Sequence, residues 1–192
     1  MTYGRSFYDT SYFLGIGQKR GQFSLVELHY KYIDRASFLL SQLTLEEKSQ
    51  HLVVAEIGAG AAPFARILQK LQRLGEFTRI RTISIDFSVA GIHLISENMR
   101  PCFIQSDAYN IAIRSESVNG IVAWDLLEHM EKPDQALYEM SRILVTGGFL
   151  HIVDQIRTLT QEELLSSAIS VIKATFGLQK SVSSFSEIHW TC

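Results

Sequence analysis

The spacing of apolar positions changes character near residue 52. From there onward, short and nearly continuous apolar runs alternate with stretches in which apolar residues recur every three or four positions. The runs are LVVAEI (52–57), IRTISID (80–86), CFIQSD (102–107), VNGIVAWD (118–125) and FLHIVD (149–154). Their length and β-branched content predict strands, and their continuity predicts burial on both faces, as in a parallel sheet covered by helices. Between them, Phe64, Ile67, Leu68, Leu71 and Leu74 form a helical stripe, with Pro63 suited to the first turn. Leu137, Met140 and Leu144 form another, ended by Gly147-Gly148. Thr160 with Glu163 predicts a capped helix reaching about Phe176, stopped by Gly177. Upstream, Leu28, Tyr32, Ala36, Leu39 and Leu43 mark an N-terminal helix placed to cover a ligand crevice. The last segment, LQKSVSSFSEIHWTC, reads as a closing β-hairpin.

This alternation predicts the α/β class, with a mostly parallel sheet and helices on both faces. A chain of 192 residues suits one domain, in which residues 1–50 form a helical cap and residues 51–192 the sheet core. Four of the five runs end in Asp, and the first closes on an acid followed by a glycine turn. Ligands of open α/β sheets bind outside the carboxyl ends of the strands, so this is where chemistry is expected.

Composition narrows the partners. The chain is 46% hydrophobic and 20% charged, with a formal net charge of −2. That balance offers no bulk attraction to nucleic acid or to anionic lipid. Cys102 and Cys192 supply neither a disulfide framework nor metal-ligand spacing. No apolar stretch approaches a membrane span, and the first residues lack a signal-type apolar run, so the cytoplasm is the expected compartment.

The sharpest local motif is AEIGAGAAPFARIL (55–68). Gly58, Ala59 and Gly60 make a tight strand-to-helix turn whose backbone can approach a ligand and present helix N-terminal amides to it. A dinucleotide fingerprint asks for Gly or Ala three residues after the second glycine, and here that residue is Pro63. Glu56, two residues before Gly58, would repel a pyrophosphate but suits the cationic ammonium and sulfonium of S-adenosylmethionine. An NAD-dependent oxidoreductase is therefore disfavoured.

At this point the chain resembles the class I methyltransferases, in particular their small, type-11-like members. Glu56-x-Gly58-x-Gly60 looks like the family's first motif, with Ala62 where many members carry a third glycine. Asp86, in SIDFS, looks like the carboxylate that accepts the ribose hydroxyls. Asp107, in QSDAYN beside Ala108, looks like the acid that receives the adenine amino group. Residues 118–154 are similar to the family's fourth-strand, helix and glycine-turn block. The resemblance covers about residues 52 to 155. It implies a three-layer Rossmann-like fold, S-adenosylmethionine as cofactor, and methyl transfer as the reaction.

Residue chemistry adds to this. An ionised Asp86 can accept two hydrogen bonds from a diol, and Ser88 is the better candidate to cap the following helix. Phe87 is either an adenine wall or core packing. DLLEHM (125–130) sits where acceptor and transferred methyl should meet. There Asp125 is expected at the methionine end of the cofactor, and His129 is the candidate general base. The alternative is that Glu128 and His129 structure their loop and cap the next helix. Asp125, Glu128 and His129 also resemble an acid-x-x-Glu-His metal site, but no fourth ligand is visible and no metal is expected. Lys19-Arg20 reads as a solvated loop. The aromatics from Tyr3 to Phe13 suit either a lid, with Tyr8 or Tyr12 at the methyl site, or a segment that packs onto the sheet edge or stays disordered. The expected acceptor is a small cytosolic molecule; an RNA or protein acceptor, or a non-catalytic cofactor-binding subunit, is the alternative.

Overall fold

The computed structural model describes residues 23–43, 50–95, 97–154, 179–183 and 187–191. The predicted lid at 3–13, Lys19-Arg20 and the predicted helix at 160–176 lie outside them. In chain order the main elements are α1 (Phe23–Gln42), β1 (Leu52–Ile57), α2 (Pro63–Arg73) and β2 (Ile80–Asp86). Then come α3 (Ala90–His93), β3 (Phe103–Gln105), β4 (Val118–Trp124) and α4 (Pro133–Ile143). β5 (Leu144–Val153), β6 (Gln179–Ser183) and β7 (Glu187–Thr191) complete the set. One short 3₁₀ turn, Leu127–His129, matters for the site.

The seven strands among the described residues join one sheet in the order β3-β2-β1-β4-β5-β7-β6. β1 to β5 run parallel, while β7 is antiparallel to both β5 and β6. The strand order turns around between β1 and β4, the switch point at which open α/β sheets leave a crevice at their carboxyl ends. The fold is the α/β Rossmann-like architecture, and the expected closing hairpin is present as β6 and β7.

Alternation along the central strands sorts the core into two layers. Val54, Val122, Trp124 and Val153 face α1 and α2, packing on Ala36, Leu39, Leu40, Phe64 and Leu68. Ala55, Ile57, Ile121, Ala123 and Ile152 face the other way, onto Leu137, Met140 and Ile143 of α4. Helices therefore cover both faces. Among the described residues, no helix is long and apolar enough to cross a membrane.

Two local differences from the sequence expectation have physical reasons. Leu74 is 79% exposed, because α2 ends at Arg73 and Leu74 serves as its C-cap. The glycine pair Gly147-Gly148 lies inside β5 and does not separate α4 from a later strand. β4 pairs first with Leu144 and next with Phe149, so Val145–Gly148 bulge out of the ladder, with Gly147 at a φ of +82°. A left-handed residue in such a bulge favours glycine.

Candidate functional site

The turn from β1 to α2 supplies the first wall. Gly58, Gly60 and Ala62 all have positive φ, at 68°, 52° and 49°. This winds the chain tightly from strand to helix, with the Ala59 amide on the Ile85 carbonyl at 3.0 Å. Leu126 closes over Gly58: a Cβ built on that glycine would lie 2.7 Å from the Leu126 Cδ1 atom.

Glu56 points into the start of α2. Its carboxylate accepts the amides of Phe64 at 2.8 Å and Ala65 at 3.1 Å, and the Ser84 hydroxyl at 3.3 Å. Ala62 cannot cap α2 with its methyl, so Glu56 does so from the strand. It is only 3% exposed, and that burial pushes its carboxyl from 4.5 up to about 7 despite the amide bonds.

Asp86 ends β2 beside the glycine turn. Its carboxylate accepts the Gly60 amide at 2.7 Å and the Ser88 amide at 2.9 Å. Ser88 in turn accepts the Ala90 amide at 3.1 Å, but the N-cap of α3 is Val89, one residue later than the sequence suggested. Past β3, Asp107 is exposed and accepts the Tyr109 amide at 2.9 Å. The Tyr109 hydroxyl reaches across to accept the amides of Glu131 and Lys132, both at 3.1 Å.

The end of β4 is built differently. Asp125 adopts a φ of +51°, which Asp tolerates better than most residues. Its carboxylate receives both Arg35 terminal nitrogens, at 2.8 and 3.1 Å, and Lys31 Nζ, at 2.9 and 2.7 Å. Tyr32 adds its hydroxyl at 3.3 Å. Burial alone would raise the Asp125 carboxyl, but the hydrogen bonds and charges of Arg35 and Lys31 bring it below the usual carboxylate range. Tyr32 stacks on Trp124 at 5.6 Å, and the Arg35 guanidinium lies within 6 Å of both rings.

After Asp125 comes the turn carrying Glu128 and His129. Its first amides, of Leu127 and Glu128, are each held at 3.2 Å by the carboxylate of Asp154, the residue following β5. Asp154 is buried, which pushes it from 3.8 up to about 7; the two amides oppose this, and the charges of Glu128 and Asp125 add to it. Glu128 Oε1 lies 3.2 Å from His129 Nε2. Among the described residues, no three His, Cys, Asp or Glu side chains gather in a metal-holding group.

Together these parts enclose a cleft of about 370 Å³ at the carboxyl ends of the strands. Of the residues expected from sequence, Gly58, Asp86, Phe87, Asp107, Ala108 and His129 line it. Glu56, Ala59, Gly60 and Asp125 do not: Gly60 gives its amide to Asp86, while Glu56 and Asp125 are turned toward α2 and α1. Sequence reasoning did not find Lys31, Tyr32, Arg35 or Tyr109. A basic pair at i and i+4 beside the apolar stripe of α1 was a visible signal, yet nothing in the chain names an acid ninety residues away as its partner. The terminal Asp of the fifth run was visible too, without a role.

A family model described as a methyltransferase domain matches residues 55–152, just over half of the chain. The chain belongs to this methyltransferase family. No curated protein matches this methyltransferase. Among solved structures, it is similar to a putative S-adenosyl-L-methionine-dependent methyltransferase from Methanococcus maripaludis, with a TM-score of 0.64 and 16% identity over 100% of this chain and 95% of that one. A possible histamine N-methyltransferase from Thermotoga maritima gives 0.61 and 15%, covering 92% and 97%. A putative methyltransferase from Haloferax volcanii, solved in complex with the Trm112 methyltransferase activator, gives 0.60 and 15%, covering 93% and 77%. At these identities the methyltransferase shares a fold with the three.

Proposed function

We propose that this methyltransferase takes its methyl group from S-adenosylmethionine and delivers it to a small molecule. The observation that carries the reading is the cleft itself. Asp86 and Asp107 stand at the ends of adjacent strands, between the apolar walls of Ile57, Ile85, Phe87 and Leu126. Carboxylates suit hydroxyl and amino donors, and apolar walls suit a flat base, so the lining fits a nucleoside. Asp86 would hold the ribose and Asp107 the adenine amino group. The exposed carboxylates of Asp107 and Glu131 in the lining would repel a phosphate backbone, which favours a small acceptor over a nucleic acid.

Adenosylmethionine supplies a methyl group on a sulfonium, already activated for transfer. The chain's own residues have three tasks: to align the acceptor, to exclude water, and to take a proton where the acceptor must lose one. Leu126 and Met130 wall the cleft against water. His129 lines it, with Glu128 Oε1 3.2 Å from its Nε2, and would be the group to take that proton.

Calorimetric titration tests the cofactor assignment. Adenosylmethionine and adenosylhomocysteine should bind and NAD should not; NAD binding with neither of the others would sink it. Asp86→Ala should lose at least ten-fold in adenosylhomocysteine affinity, since charge-assisted hydrogen bonds contribute about 1.5–3 kcal/mol each. Circular dichroism on the same sample should show a folded protein. Unchanged affinity would place ribose recognition elsewhere.

A further inference from the structure

The fifth apolar run ends in Asp154, an acid that does not line the cleft and is only 4% exposed. A carboxyl kept out of water needs donors of its own. Asp154 has two: its Oδ2 accepts the Leu127 amide and its Oδ1 the Glu128 amide, each at 3.2 Å.

Those amides open the 3₁₀ turn Leu127–His129. Leu126, the residue before the turn, has no side-chain oxygen with which to cap it, so the acceptor comes from the neighbouring strand. One step earlier, the Asp125 amide donates to the Val153 carbonyl at 2.7 Å. Three of the four amides from Asp125 to Glu128 therefore end on Val153 and Asp154. The residues so gripped carry the cleft: Leu126, His129 and Met130 line it, and Leu126 closes over Gly58. The two amides fall on two different oxygens, which a carboxylate provides. An asparagine there would turn an NH₂ group toward one of them, donor against donor, and a serine would offer a single oxygen.

We propose that Asp154 is a positioning residue for the cleft: by holding two successive amides of the turn, it fixes where Leu126 closes on Gly58 and where His129 stands. It touches no ligand and acts through the turn, as a supporting residue does when a site must be held to a fraction of an ångström. Its effect on cofactor binding rests on the adenosylmethionine reading above.

The test compares the full chain with Asp154→Asn, which keeps the shape and loses one acceptor. Ring signals of the histidines are followed by ¹H–¹³C NMR, with the His129 signal identified by its loss in His129→Gln. In Asp154→Asn the His129 signal should move, while those of His51, His93 and His151 stay. His151, buried against Trp124, reports the core. Hydrogen exchange at the Leu127 and Glu128 amides should speed up by about ten-fold or more, and adenosylhomocysteine affinity should fall by about five-fold or more. A His129 signal that stays in place, or one that moves together with the other three, would overturn the proposal; so would unchanged affinity. Failure of the wild type to bind adenosylhomocysteine would overturn the cofactor reading, and the His129 signal alone would then decide on Asp154. Where the variant does not fold, the wild type decides: its Leu127 and Glu128 amides should be protected by about ten-fold or more over an unstructured chain, and unprotected amides would overturn the role.

Discussion

Single side chains in this site tie together segments that are far apart in sequence, and Tyr109 shows how. Its hydroxyl is the acceptor for two amides of the loop before α4, across the cleft from Asp107. Tyr109→Phe removes that acceptor and leaves the ring. The amides of Glu131 and Lys132 would then turn to water, at a cost of about 1 kcal/mol in stability. Hydrogen exchange should speed up by ten-fold or more at those two amides and stay unchanged in β1 and β4. Unaltered exchange at both would mean the loop is held by its other contacts.

At the scale of elements, cross-strand fit decides what can be exchanged. Gly120 on β4 sits opposite Phe149 on β5, and the phenyl ring fills the space a side chain would need. A Cβ at that position would come within 2.2 Å of the ring, which is itself only 8% exposed. Gly120→Ala should therefore cost about 1–3 kcal/mol, as overpacking does in a dense core. A lower urea midpoint at unchanged m-value would report it, and adenosylhomocysteine affinity should hold because the pair lies away from the cleft. The same opposition explains why β5 needs its bulge. The strand begins one residue after α4 ends, and the chain must absorb the extra residues before Phe149 meets Gly120.

For the whole molecule, two of the buried acids, Glu56 and Asp154, set a pH dependence. Burial raises Glu56 from 4.5 and Asp154 from 3.8, each to about 7. Between those limits the folded chain binds more protons than the unfolded one, so stability falls as pH rises. The contribution is complete below the unfolded values and lost as pH climbs through about 7, with up to ~1.4 kcal/mol per pH unit for each group. Asp125 and Glu139, which are lowered, act only in more acid solution, below the usual carboxylate values. The melting temperature should decline from pH 5 to pH 7.5, and Glu56→Gln should make that decline shallower. An equal slope in the variant would show that Glu56 does not titrate over this range and that the decline has another source.

The strand runs and the main helical stripes were legible in the sequence because burial on one or both faces leaves a period in the chain. The glycine turn and the acids at strand ends were legible for a related reason: a left-handed backbone and a carboxyl-end crevice demand particular residue types at particular places. Direction was not legible. Glu56 and Asp125 carry the charge the motif led us to expect, yet one turns under α2 and the other toward α1. Which way a carboxylate turns depends on the donors that packing brings to it, and those come from elements up to ninety-four residues away. Lys31 and Arg35 reach Asp125, and Tyr109 reaches the loop before α4, for the same reason. Sequence by itself determined the sheet, the cleft's location and the family; only the tertiary structure decided which carboxylates line the cleft and which turn to the helices.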